Sequence, residues 1–238
     1  MTRPFVHSET GTPASAWSPL LENDLLPEFR LPDIRRALIV SPHPDDETLG
    51  AGGLIASLAA AGTRVTVLSL TDGERALGAI DRGLAAERRT ELGDAMRCLG
   101  SQENPVDILR FGLPDGGLGR NEALALTIRE YVRGNDFCAG PWWGDGHPDH
   151  ETAGISLREA CVTAGIPFVA FPIWAWHWAE AGEDGLLDRA VRFEMNDAAQ
   201  RAKTAALDCY RSQRRGPDPI LRDTFLDHFR RPFEVFIS

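Results

Sequence analysis

The chain predicts an α/β fold: a Rossmann-like, mostly parallel sheet with helices on both faces and a metal site at the C-terminal edge of the strands. Three observations carry this expectation. Short apolar runs alternate with helix-length segments from about residue 36 onward, the pattern of parallel βαβ units. The first run, Ala37-Leu-Ile-Val40, stops at Pro42 and Pro44, which cannot continue a ladder. At that stop stand one imidazole and three carboxylates, His43, Asp45, Asp46 and Glu47, where the carboxyl end of a strand in an open sheet meets its ligand.

The elements follow in order. Residues 1–35 are polar and proline-rich without a sustained period, and read as an arm packed on the domain, pinned by Trp17 and Leu20. Residues 36–238 read as a single domain, because no repeat, low-complexity tract or linker divides them. The first strand covers about 36–41 and a helix covers 47–61, with Gly62 as its stop. A second strand, 64–70, ends in Thr71-Asp-Gly-Glu74. A helix over 83–99 offers Leu84, Leu92, Met96 and Leu99 as a buried stripe. A third strand, 106–111, runs into the turn Gly112-Leu-Pro-Asp-Gly-Gly117. A helix over 122–132 and a short strand over 136–139 lead into Gly140-Pro-Trp-Trp-Gly-Asp-Gly-His-Pro-Asp-His150. A helix over 151–164 precedes a fifth strand, 168 to about 178, and a sixth, 190–195. A last helix, 197–210, and an edge strand, 233–237, close the chain.

Composition narrows the function. A net charge of −10 argues against a nucleic-acid backbone or an anionic membrane as the main partner. No apolar run approaches the ~20 residues of a membrane span, and the N-terminus lacks the apolar core of a signal peptide. The four cysteines, Cys98, Cys138, Cys161 and Cys209, form no C-x-x-C, so reduced thiols in a cytoplasm are expected. A homo-oligomer is compatible with all of this.

The chemistry sits in two turns. His43 and Asp46 are three apart and can turn to one side, while Asp45 leaves the backbone in another direction. One carboxylate can then bind a metal while its neighbour stays free as a base, although a plain polar turn with an Asp helix cap would satisfy the same residues. Gly146-His-Pro-Asp-His150 repeats the arrangement, with Pro148 suited to a first helical position. Histidines and an aspartate around an open position are a catalytic rather than a structural metal pattern, and suit zinc, with Fe2+ or another divalent ion also compatible.

Pro42-His43-Pro44-Asp45-Asp46-Glu47 together with His147-Pro148-Asp149-His150 resembles the LmbE-like, or PIG-L, metal-dependent N-acetylglucosaminyl deacetylases. The similarity extends to Thr71-Asp-Gly-Glu74, Glu87-Arg88-Arg89-Thr90-Glu91 and Leu113-Pro-Asp-Gly116. The resemblance implies that His43, Asp46 and His150 bind Zn2+, and that Asp45 is the general base acting on metal-activated water. It implies that His147, oriented by Asp149, stabilises the oxyanion or protonates the leaving amine, and that Arg88 and Asp115 bind the sugar. The implied reaction removes acetyl from an N-acetylated amino sugar or sugar conjugate. Hydrolysis of another amide or an ester would use the same groups.

Other residues have two readings each. Trp142 and Trp143 stand beside the second motif and are candidate pocket residues. Trp174, Trp176 and Trp178 would share one face of the fifth strand with His177 on the other, as a sugar platform or as ordinary packing. Arg211, Arg214, Arg215, Arg222, Arg230 and Arg231 could meet an anionic substrate, but a salt-bridged tail explains them more simply. Gly50-Ala-Gly-Gly53 mimics a dinucleotide-binding turn, yet its third glycine is missing, position 55 being Ile, and it comes too late after the strand.

Overall fold

A computed structural model describes residues 9–22, 26–31, 33–121, 123–182 and 185–238. The strands β1 (Arg36–Ser41), β2 (Arg64–Thr71), β3 (Asp107–Leu113), β4 (Phe137–Pro141), β5 (Phe168–Phe171), β6 (Ala190–Glu194) and β7 (Phe233–Ile237) form one sheet. Their order is β3-β2-β1-β4-β5-β7-β6. Pairings among β1 to β5 are parallel, and β7 runs antiparallel between β5 and β6. The order reverses between β1 and β4, which opens a crevice at the carboxyl ends of those two strands.

The strand sequence sets the layering. In β1, Ala37 and Ile39 point into the core shared with α2 (Asp46–Ala60), α3 (Arg82–Leu99) and α7 (Asp197–Leu207). Leu38 and Val40 point to the opposite core, under α4 (Leu124–Val132) and α5 (Pro148–Ala164). All four are fully buried, which is why the run is continuously apolar rather than alternating. Residue 122, at which the third helix expected from the sequence begins, lies outside the described residues.

The glycine run has a packing cause. A Cβ on Gly50 would stand 2.3 Å from the Phe171 ring, and one on Gly53 would stand 2.0 Å from Met195 Sδ. The α2 helix breaks between them, at Ala51, and the N–H groups of Gly53 and Leu54 donate to Glu234 at 2.7 and 2.9 Å. Lys203, the only lysine of the chain, balances that buried carboxylate at 2.6 Å.

The structure departs from the sequence expectations in several places. The arm contains a helix, α1 (Ala14–Leu21), whose Trp17 and Leu21 are buried while Leu20 is half-buried. Trp17 Nε1 donates to Trp176 O at 3.1 Å. Residues 1–8, 23–25 and 32 of the arm lie outside the described residues. The fifth strand ends at Phe171, not near Trp178, and a one-turn helix, α6 (Ala175–Trp178), follows. Pro172 interrupts the ladder, and the Asp145 carboxylate then accepts from the N–H groups of Ile173, Trp174 and Ala175 at 2.7–3.1 Å. The three tryptophans therefore do not alternate across a sheet. The helix after the second motif begins at Pro148, three residues before expectation. The short helix α8 (Asp223–Leu226) stacks Phe225 on Trp174, ring centroids 4.4 Å apart.

Candidate metal centre and active site

Both histidine-bearing turns leave the sheet at the crevice, one after β1 and one after β4. The β1 exit is tied down first. Pro42 O accepts from Thr71 N at 3.0 Å and from Thr71 Oγ1 at 2.8 Å, and Asp46 Oδ2 accepts from His43 N at 3.0 Å. This tight loop forces Asp45 into φ 133°, the only described non-glycine residue with positive φ. Such a conformation costs on the order of 1–3 kcal/mol and persists only where surrounding contacts enforce it.

Those contacts are visible. Glu47 Oε2 accepts from Ser41 Oγ at 2.7 Å and from Asp45 N at 3.3 Å. Glu47 Oε1 accepts from Tyr210 Oη at 2.5 Å and from Thr48 Oγ1 at 2.8 Å. Arg88 holds Asp45 from the other side: its Nη2 donates to Pro44 O at 2.7 Å and to Asp45 Oδ2 at 3.0 Å, and its Nη1 to Gly73 O at 3.1 Å. Burial pushes the Asp45 carboxyl up to about 7, the Arg88 cation resisting and the Asp46 and Glu47 charges adding to the rise. A carboxylate near 7 is poised as a general base.

His43 Nδ1, Asp46 Oδ2 and His150 Nε2 form a triangle with all three sides 3.2 Å. In a tetrahedral site with bonds of about 2.0–2.1 Å, neighbouring ligand atoms stand about 3.3–3.4 Å apart. The three side chains thus already have the spacing of three ligands to a small divalent ion. Each histidine is oriented from its far nitrogen. His43 Nε2 lies 3.1 Å from Asp115 Oδ1 and 3.5 Å from Asp149 Oδ2. His150 Nδ1 lies 2.8 Å from Asp145 Oδ2, both side chains fully buried. Carboxylate–histidine–metal relays have this form.

A second group, His43, Asp115 and Asp149, is also close enough to hold an ion. It shares His43 but uses the other ring nitrogen. Asp149 is already occupied there by the N–H groups of Gly116 and Leu118, at 2.8 and 3.1 Å, and Asp115 by that of Arg75 at 2.8 Å. The first group, with two imidazoles and one carboxylate, is the better metal set.

The electrostatics point the same way. Burial disfavours charge at Asp46, yet His150 and His43 hold its carboxyl far below the ordinary range. Burial likewise opposes a charged His150, but Asp46 and Asp145 raise it to about 9. In His43, Asp115, Asp149 and Asp46 overcome burial in the same sense. These carboxylates favour positive charge at the centre of the cluster, the setting a divalent cation requires.

His147 caps α5, with its Nδ1 accepting from Asp149 N at 3.2 Å. A neutral ring therefore carries its proton on Nε2. Burial, with the charges of His150 and His43, lowers its pKa to about 3. The expected orientation by Asp149 comes through the backbone N–H, while the Asp149 carboxylate turns toward His43 and residues 116–118.

A cavity of about 260 Å³ opens over this cluster, lined by His43, Asp45, Asp46, Arg88, Asp115 and His147. Arg88 and Asp115, the expected sugar contacts, are thus at the cavity, but Arg88 is engaged by Asp45 and Asp115 by His43. Trp142 and Trp143 are not among the lining residues. Both are half-buried against the larger core, Trp143 lying under Arg158 with 4.9 Å from guanidinium carbon to ring centroid. Trp174 lines the cavity instead. His177 lies under the N-terminal arm, its carbonyl accepting from Thr12 N at 2.8 Å. The arginine-rich tail is largely paired, Arg214 and Arg230 with Asp223, Arg215 with Glu87 and Arg222 with Asp218. Asp145 escaped the sequence reading; its one signal is its place five residues before His150.

The sequence profile of the family described as PIG-L: GlcNAc-PI de-N-acetylase matches residues 38–161, from β1 through most of α5. The chain belongs to the PIG-L family. Among curated relatives it is 35% identical to the diacetylchitobiose deacetylase of Thermococcus kodakarensis over 144 residues, 57% of this chain and 52% of that protein. It is 30% identical to the 1D-myo-inositol 2-acetamido-2-deoxy-alpha-D-glucopyranoside deacetylase of Tsukamurella paurometabola over 197 residues, 66% of each. The chain therefore spans about half to two thirds of the length of these relatives. Among solved structures, a conserved protein from Thermus thermophilus superposes with a TM-score of 0.61 at 26% identity, covering 85% of this chain and 93% of that one. The PIG-L match contains every residue of the candidate metal cluster. The rest of the cavity wall, Ile173, Trp174, Gln213, Ile220 and Leu221, lies beyond it.

Proposed function

We propose that the protein is a zinc-dependent hydrolase that removes the acetyl group from an N-acetylated amino sugar or sugar conjugate. The observation that carries this is the 3.2 Å triangle of His43, Asp46 and His150 beside a carboxylate held outside it, Asp45. The two relatives, a diacetylchitobiose deacetylase and a 1D-myo-inositol 2-acetamido-2-deoxy-alpha-D-glucopyranoside deacetylase, support the substrate class. Two imidazoles and one carboxylate favour Zn2+, with Fe2+ the other candidate.

His43, Asp46 and His150 would hold the ion. A divalent cation held by these residues would supply a Lewis acid for the acetamide carbonyl and would bring the pKa of water toward about 7. Asp45 takes a proton from the attacking water. Arg88 and Glu47 fix its position, so no reorganisation is needed as charge moves. His147, neutral with its proton on Nε2, donates a hydrogen bond to the carbonyl oxygen as it gains negative charge, an effect commonly worth about 2.7–4 kcal/mol. The proton gathered by Asp45 passes to the departing amine nitrogen, so water is divided between acetate and amine.

Four free cysteines support a reducing, cytoplasmic setting, and no described helix is long and apolar enough to cross a membrane. The partner implied is a small amino-sugar conjugate.

The test is acetate release by zinc-reconstituted protein over N-acetylhexosamine derivatives, with metal content measured in the same sample. Turnover abolished by chelation and restored by zinc is expected. A zinc-loaded protein that cleaves a matched ester or another amide, but no acetamido sugar, would replace this reading.

A further inference from the structure

The two walls of the cavity differ in chemistry and in origin. The metal-side wall is charged and lies inside the PIG-L match. The facing wall comes from the segment after β5 and from the stretch after α7, and its side chains Ile173, Trp174, Ile220 and Leu221 are apolar, with Leu49 joining them from α2. The one polar member is Gln213.

Gln213 is 1% exposed and its orientation is fixed. Ser212 N and Oγ donate to Glu91 Oε1 and Oε2 at 2.7 and 2.6 Å. With its hydrogen committed, Ser212 Oγ can only accept, and it accepts from Gln213 Nε2 at 2.9 Å. Gln213 O, on the backbone, accepts from Leu221 N at 2.9 Å, which locks this stretch into the wall. Gln213 Oε1 is left buried with no hydrogen-bond partner in the protein. A buried acceptor without a donor is unfavourable and calls for an explanation. A substrate hydroxyl supplies one.

We propose that this C-terminal wall is the specificity subsite, and that it selects an amino-sugar conjugate whose aglycone is apolar, an alkyl or aryl group, while Gln213 Oε1 accepts from a sugar hydroxyl. The inference rests on the deacetylase reading and adds the substrate class. Among the described residues no charged side chain stands on this wall, so a phosphate or polyol aglycone buried against it would leave its polar groups unsatisfied. The cavity volume of about 260 Å³ lies below the roughly 300–1,000 Å³ of pockets that enclose a drug-sized ligand. A sugar-sized part therefore enters and the aglycone runs outward along the wall. Leu77 and Ile80, 63% and 64% exposed, belong to the same loop as the cavity-lining Arg75 and Ala76.

The experiment compares zinc-loaded protein on methyl, butyl and hexyl glycosides of N-acetylglucosamine and on its 1-phosphate. Each methylene covered by the wall should raise kcat/KM roughly threefold to fourfold. A hexyl-to-methyl ratio of at least about tenfold is expected, with the 1-phosphate below the methyl glycoside. Ile220 is half-buried and tolerates change, so Ile220→Asp should bring that ratio toward one. Gln213→Leu should lower kcat/KM about threefold to tenfold for every glycoside and leave the alkyl gradient intact. A flat gradient, or a preference for the 1-phosphate through Arg75, overturns the inference while the deacetylase reading stands. Calorimetric binding of the hexyl and methyl glucosaminides, which carry no acetyl group, separates the two. If nothing is deacetylated but the hexyl compound binds at least tenfold tighter, the deacetylase reading falls and the apolar subsite holds. Equal binding overturns the subsite.

Discussion

His43-Pro44-Asp45-Asp46 and His147-Pro148-Asp149-His150 spell almost the same four residues, and the fold uses them differently. Both follow strands that flank the crevice, and both lead into a helix. In the first, helix α2 begins at the fourth residue, Asp46. In the second, α5 begins at the second, Pro148. That shift of two residues reassigns the first and third side chains. Asp45 is kept out of the helix at φ 133° and lines the cavity, whereas Asp149 lies within the first turn and accepts two backbone N–H groups. His43 is a proposed ligand with a carboxylate behind it, whereas its counterpart His147 is a helix cap that lines the cavity. Only the fourth positions, Asp46 and His150, share a proposed role, as metal ligands. Where a helix starts, rather than which residues are spelled, decides which carboxylate is free to act as a base.

The comparison can be broken most severely at the third position. Asp45→Asn should lower turnover about 10²–10⁴-fold while metal content stays at the wild-type level. Asp149→Asn should leave turnover far less affected and instead cost about 1–3 kcal/mol of stability, because an amide cannot accept both backbone N–H groups without presenting its own. Steady-state kinetics and urea unfolding of the two variants would check this, and equal losses of turnover would erase the distinction.

A smaller effect sharpens the fourth position. Asp145→Asn removes the charge behind His150 and should weaken metal binding about 10–100-fold, as read by competition with a chromophoric chelator. An unchanged affinity would mean that Asp145 serves only to cap α6.

The smallest effect is a shift in pH dependence. The Asp45 carboxyl, raised to about 7 chiefly by burial, is held down by Arg88. Without that cation the carboxylate is less favoured and its pKa rises, so the base becomes competent only at higher pH. Arg88→Gln should therefore move the acid limb of kcat/KM upward by about one unit or more. A downward shift would contradict the placement of Arg88 on the base.

Much of the site is legible in the sequence because its residues are local. Two motifs of four residues, each at the end of an apolar run, place His43, Asp46 and His150 at one sheet edge. The layering of the sheet is legible for the same reason: β1 reads as a strand buried on both faces. The features that sequence alone misses depend on distant partners. Asp145 is informative only through the N–H groups of Ile173, Trp174 and Ala175, 28–30 residues away. The aromatic run 174–178 has strand-like composition, yet that same carboxylate turns it into α6. Gln213 depends on Glu91, more than a hundred residues earlier. Trp142 and Trp143 adjoin the motif in sequence, but they pack half-buried against the core and do not line the cavity.

The measurement closest to the central claim is metal content by elemental analysis in two purified variants of the second turn, His147→Ala and His150→Ala. Both remove an imidazole, and the two positions are three residues apart in the chain. The account predicts about one equivalent of metal per chain retained in His147→Ala and none held after dialysis in His150→Ala. Metal lost from His147→Ala and kept in His150→Ala would contradict it, since the two histidines would then have exchanged roles.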